Sequence, residues 1–306
     1  MNQNQQPKNN NFLMQPKVDF AFKEIMMDDD ALKGFLSAVL NINPEHIQRI
    51  FRKNTNMQKV HKEEKQAILD VRIVIAQAKP PKKRKRPMSE EEQEEKFILK
   101  EIDIEIQLSY MAAWADRSVF YVAKMLVEQG EIDQKYSNFK KCIGINLLDF
   151  NYIDQTEKFH TVWHIREDSE HIKYTDTVEW HVVELPKLPS IPDGTDLYKW
   201  VQFLKAETKE EFEMIVQGNH YLESALKRLE VISQDEQKRL EYTARQKTLY
   251  DYNTFMEENY DRGYDDGRTE GKEEGKAEEQ KKLSDKIEKM RADGVSEEFI
   301  QKYFGN

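Results

Sequence analysis

The 306-residue chain is 38% hydrophobic and 10% aromatic, enough to bury a core as one large domain or two small ones. Its single cysteine, Cys142, excludes an internal disulfide framework and any multi-cysteine zinc site. The formal net charge of -10 argues against a generic polyanion binder, although a whole-chain average leaves room for a local basic groove.

Residues 1–11 are rich in Asn and Gln, with little to bury, and read as a disordered leader. They lack the apolar stretch of a signal peptide. No later run reaches the roughly 18 apolar residues of a membrane helix, so the expected address is cytoplasmic, with no membrane partner. From Phe12 the chain should be ordered. Phe22, Ile25 and Met26 fall at helical spacing, and Asp28 to Asp30 supply the cap and first-turn acids of a second helix over 31–40.

A first strand is expected over 47–55 and a second over 67–77, joined as a hairpin. The second is apolar except for Asp70 and Arg72, which are two residues apart and are expected on one face. An aspartate in such a run needs a partner or a metal. The loop at 78–95 follows, with Lys82 to Arg86 basic and Glu90 to Glu95 largely acidic. It reads as a flexible charged linker; a nuclear localisation signal and a contact to a phosphate backbone are the alternatives.

The segment 100–109 alternates without a break, with Ile102, Ile104, Ile106 and Leu108 on one face and Glu101, Asp103, Glu105 and Gln107 on the other. Two readings compete for the acidic face: a solvated surface, or a site in which a cation relieves the repulsion between carboxylates. Residues 111–128 should form a helix with an apolar stripe of Trp114, Val119, Phe120, Ala123 and Val127. Arg117, Tyr121 and Lys124 line another face, either as surface ion pairs or as groups held near phosphate.

A strand buried on both faces is expected over 141–150, with Cys142 as a small buried hydrophobe. Two antiparallel strands follow over 159–165 and 178–185. His160, His164 and His181 are read as packing residues in preference to metal ligands. The prolines from Pro186 to Pro192 mark a domain edge. The expected units are a core over 12–190, a helical extension over 191–260 and a charged tail over 261–306. In the tail Gly263, Gly267, Gly271 and Gly275 recur every fourth residue, which weakens an isolated helix by about 1 kcal/mol each. A flexible arm and a self-associating helix both fit this pattern.

The order helix, strand, strand with Asp70, strand with Glu105 and Gln107, then a helix with Arg117 to Tyr121 resembles the PD-(D/E)XK nuclease superfamily. More narrowly it is similar to the Rpn family of recombination-promoting nucleases, or putative transposases. Lys17 to Lys23, Ile145 to Phe150, Val183 to Lys187 and the glycine-periodic tail carry that similarity. The resemblance implies an α/β (α+β) restriction-endonuclease-like core of αβββαβ topology with a C-terminal helical extension, in a bacterial or phage setting linked to recombination and mobile elements.

It further implies Mg²⁺-dependent endonuclease action on DNA, with Mn²⁺ as a substitute. Asp70 and Glu105 become metal ligands, the Ile106 carbonyl a third, and Gln107 stands where the superfamily usually has lysine. A glutamine orients water without supplying charge, so Arg72 or Lys23 is expected to provide it. Lys23, Arg72, Arg117 and Tyr121 are the expected phosphate contacts. The rival reading is a catalytically inactive nuclease fold that binds nucleic acid or protein and forms a homo-oligomer through its tail.

Overall fold

A computed structural model describes residues 12–57, 69–78, 97–130 and 135–304. The leader, most of the charged loop at 78–95 and the start of the second expected strand lie outside these residues. Two compact units are present, one up to Lys247 and one from Thr248 on.

The first unit opens with α1 (Asp19–Ile25) and α2 (Asp29–Leu40). Asp28 caps α2 by accepting the Ala31 N–H at 2.8 Å, and Asn41 ends it in the left-handed region at φ 49°. Strands β1 (Ile47–Arg52), β2 (Val71–Ala78) and β3 (Phe97–Gln107) follow, then α3 (Trp114–Val127). After β4 (Lys141–Leu148) come β5 (His160–Trp163) and β6 (Val178–Glu184). The resulting six-stranded sheet has the order β1-β2-β3-β4-β6-β5. The pairs β1–β2, β2–β3 and β5–β6 are antiparallel, whereas β3–β4 and β4–β6 are parallel. The expected αβββαβ core is present, and α3 is its crossover between parallel strands.

Each sheet face has its own cover. Ile73 and Ile75 of β2, Ile102, Ile104 and Ile106 of β3, and Ile143, Ile145 and Leu147 of β4 share one apolar core with α1 and α2. The same core includes α4 (Asp196–Lys205), α5 (Lys209–Val216) and α6 (His220–Gln234), through Trp200, Phe203, Phe212, Leu222 and Leu229. Chain beyond the prolines therefore contributes to the core that holds the sheet. On the other face a smaller cluster joins Tyr121, Val122 and Met125 of α3 to Leu69, Cys142 and Val178. Cys142 is fully buried, and burial pushes its thiol up to about 12, as befits a small core residue.

On this second face one of two open readings falls away and one expectation is corrected. The acidic side of β3 is not solvated: Glu101, Asp103 and Glu105 are 0%, 2% and 2% exposed. Of the stripe expected on α3, Trp114 is buried, but Val119 and Val127 are exposed and Ser118, Tyr121, Val122, Lys124 and Met125 are buried in their place. An acidic sheet face gains more from the polar side of a helix than from its valines, because a buried carboxylate needs charge or hydrogen-bond partners.

Helix α7 (Glu236–Ala292) begins in the first unit, and its remainder forms the second unit with α8 (Glu297–Phe304). Gly294, at φ +81°, makes the turn between the two, and Arg291 pairs with Glu297 at 2.5 Å. The four periodic glycines lie inside α7, with nothing within 4 Å of the position a Cβ would take.

Candidate nuclease site

Asp70 sits immediately before β2, and its position there depends on β3. Its N–H donates to Glu105 Oε1 at 2.8 Å, and its Oδ2 accepts the Ile106 N–H at 3.1 Å. The reciprocal bonds bring the carboxylate before β2 and one on β3 together where the β2–β3 ladder ends, since the last register pair is Val71 with Ile104. Lys23 of α1 completes the pair, with Nζ 2.7 Å from Asp70 Oδ1. On the α3 side, Arg117 Nη2 lies 3.6 Å from Glu105 Oε2, while Arg117 Nε donates to the Tyr121 hydroxyl at 2.8 Å.

Burial makes this pair electrostatically expensive. Desolvation, followed by the neighbouring Asp70 carboxylate, raises Glu105 to about 8. Asp103, one pleat back on the same face, is driven well above the usual carboxylate range by burial and then by Glu105 and Asp70. Its Oδ1 is buried without a hydrogen-bond partner among the described residues. Three crowded carboxyl groups, with ammonium and guanidinium already drawn to two of them, form an oxygen-rich donor set that suits a hard divalent cation.

The expected residues therefore divide. Asp70, Glu105, Ile106, Lys23, Arg117 and Tyr121 come together. Ile106 does so through its amide. Arg72 is bonded to other acids: its Nε and Nη2 lie 2.8 and 2.6 Å from Glu101 Oε1, and Nη2 is 2.7 Å from Glu128 Oε2. Gln107 is half-buried, and its amide donates to the Ser109 carbonyl at 3.1 Å.

Several residues gain roles that spacing alone hid. Lys17 Nζ reaches Asp149 Oδ2 at 2.8 Å, and the Asp149 N–H donates to the Gln107 carbonyl at 2.9 Å, so the segments 17–23 and 145–150 meet beside β3. Glu184 accepts the N–H groups of Tyr152 and Ile153 and pairs with Lys187 at 3.0 Å, which fixes the loop after β4. Lys53 adds a second cation to Glu101, at 3.0 Å.

The histidines form a separate network at the outer edge of the sheet. His160 and His181 are 3.0 Å apart, and Glu179 bridges His181 at 2.9 Å and His164 at 2.7 Å. His164, Asp176 and Glu179 bring three ligand-type atoms within 4.8 Å of one another. Lys141 Nζ is bonded to both of those carboxylates, at 2.9 and 2.8 Å. Burial opposes the charge on Glu179, but hydrogen bonds from His181 and Lys141 hold it below the usual carboxylate range.

A sequence profile described as PD-(D/E)XK nuclease family transposase matches residues 16–79 and 92–259, so it spans α1 to the first part of α7 and omits residues 1–15, part of the charged loop and the glycine-periodic tail. No curated protein and no solved structure matches the chain significantly. The matched span contains every residue of the Asp70–Glu105 cluster, and the chain belongs to the PD-(D/E)XK nuclease family transposases.

Proposed function

We propose that the protein is a metal-dependent DNA endonuclease whose site is centred on Asp70 and Glu105. One observation carries this reading: a carboxylate at the entry to β2 and one on β3 are locked together by reciprocal backbone bonds, with Lys23 at 2.7 Å and Arg117 at 3.6 Å. Asp70, Glu105 and the Ile106 carbonyl would hold Mg²⁺, or Mn²⁺ in its place. A bound ion of this kind supplies a Lewis acid and a water of lowered pKa.

The remaining work falls to the chain. Lys23 provides the positive charge that glutamine at 107 lacks, next to the phosphate being cleaved. Arg117, oriented by the Tyr121 hydroxyl, holds Glu105 in place and offers a guanidinium to a phosphate oxygen. Gln107 positions water once its amide leaves the Ser109 carbonyl. The family description supports nucleic acid as the substrate and mobile elements as the setting. No helix among the described residues is long and apolar enough to cross a membrane.

A second reading has a specific observation behind it. The Gln107 amide is engaged by Ser109 and not directed at the carboxylates, which suits a nuclease fold that binds DNA without cutting it. Supercoiled plasmid separates the two. The endonuclease nicks or linearises it with Mg²⁺ or Mn²⁺ and leaves it intact with chelator, whereas a binding module retards it on a gel under every condition.

A further inference from the structure

A cleft of ≈ 630 Å³ lies between the first half of α3, the loops after β3 and β4, and the β5–β6 hairpin. Its lining is aromatic, with Tyr110, Trp114, Tyr152, Trp163 and Trp180. Three of the four tryptophans in the chain stand there, and the fourth, Trp200, is in the apolar core. Tyr110 and Trp163 are 58% and 48% exposed, so two large rings offer their faces to whatever enters.

The rings are held in place. The Tyr152 hydroxyl donates to the Ala112 carbonyl at 3.0 Å and accepts the Ala115 N–H at 3.2 Å, tying the loop after β4 to the start of α3. Trp180 donates to the Ser118 carbonyl at 3.4 Å, in space that Gly144 leaves open: a Cβ there would come within 3.1 Å of Trp180 Cδ1. The Trp114 indole N–H is buried and has no acceptor among the described residues.

Arg117 joins this cleft to the carboxylates. Its guanidinium lies 5.1 Å from the centre of the Trp114 ring, while Nη2 is 3.6 Å from Glu105 Oε2. A nucleic-acid strand whose phosphate meets Arg117 therefore has an aromatic cleft beside the next nucleotide. Every nucleobase has a π-face that stacks on such rings, but a continuous duplex keeps those faces within its own stack.

We propose that the cleft holds an unpaired nucleobase beside the cleaved bond, so the preferred substrate has single-stranded or unstacked nucleotides at that position. The location of the cut rests on the nuclease reading; the binding of the base does not. Tryptophan fluorescence of the full chain in chelator, where no cleavage occurs, tests the cleft directly. A short oligothymidylate should quench it saturably. An abasic strand of equal length and a blunt duplex should bind at least about 5-fold more weakly.

Trp163→Leu should lose at least about 5-fold in affinity for the oligothymidylate, and Trp163→Phe should keep most of it, since phenylalanine retains a stacking face. Equal affinity for the abasic strand, or unchanged binding by Trp163→Leu, overturns the proposal. Base-dependent quenching upholds the cleft even if plasmid is never cut. Its absence overturns the cleft even in an active nuclease.

Discussion

Lys23 Nζ stands 2.7 Å from Asp70 Oδ1, so a cation from the first helix is fixed on a carboxylate at the end of the sheet. The other cation expected there, Arg72, is 5% exposed and committed to Glu101 and Glu128. The two basic residues consequently do different work, and substitution separates them.

Lys23→Met should lower plasmid cleavage by on the order of 10²-fold, as loss of a charge that stabilises the transition state does. Its half-exposed pairing predicts a stability change within about 1 kcal/mol. Arg72→Met should do the reverse, costing about 3–5 kcal/mol in urea unfolding, because it takes from the fully buried Glu101 a guanidinium at 2.6 Å and leaves the half-exposed Lys53 at 3.0 Å. Wild-type cleavage by Lys23→Met would remove that residue from the site.

Gly34 of α2 tests whether α6 belongs to the core that supports the sheet. A Cβ at Gly34 would lie 2.2 Å from Tyr221 Cβ, and neither atom sits at the flexible end of a side chain. Gly34→Ala should therefore force α2 and α6 apart and destabilise the first unit by about 1–3 kcal/mol or more. An unchanged melting temperature would mean that the two helices can separate freely.

His160 predicts an acid-sensitive edge. Burial, with His181 alongside, lowers it from 6.5 to about 4. Between these values the unfolded chain binds the proton more readily than the folded one, so stability rises with pH across the window and levels off above about 6.5. The full effect is on the order of 3 kcal/mol. His160→Gln should flatten the dependence of melting temperature on pH between about 4 and 6.5; parallel curves for variant and wild type would contradict the assignment.

The glycine-periodic tail is proposed to assemble copies of the chain. The four glycines leave open space on α7 where another helix could approach closely, and the helix around them is exposed. Removing residues 261–306 should lower the mass seen by light scattering while the first unit keeps its melting transition. An unchanged mass would contradict assembly through the tail.

The sequence made β3 legible because strict alternation over Glu101 to Gln107 leaves few other structures. Alternation states which side chains share a face, not what covers that face. The count of apolar residues on α3 favoured Val119 and Val127 as buried positions, yet the helix buries Tyr121 and Lys124 and turns Arg117 toward Glu105. Only the partner surface decides between those faces. Asp70 and Glu105 could be paired on family resemblance, whereas the Lys17–Asp149 contact joins residues 132 positions apart and leaves no local trace. Likewise, the spacing of Leu222, Ala225 and Leu229 announces an amphipathic helix without saying that α1 and α2 lie against it.

The central claim is that Asp70 and Glu105 act as one metal-holding pair, and plasmid cleavage in Mg²⁺ by the intact protein, Asp70→Ala and Glu105→Ala tests it most directly. The account predicts cleavage by the intact protein alone, with both variants still folded by circular dichroism. Equal cleavage by all three would contradict it.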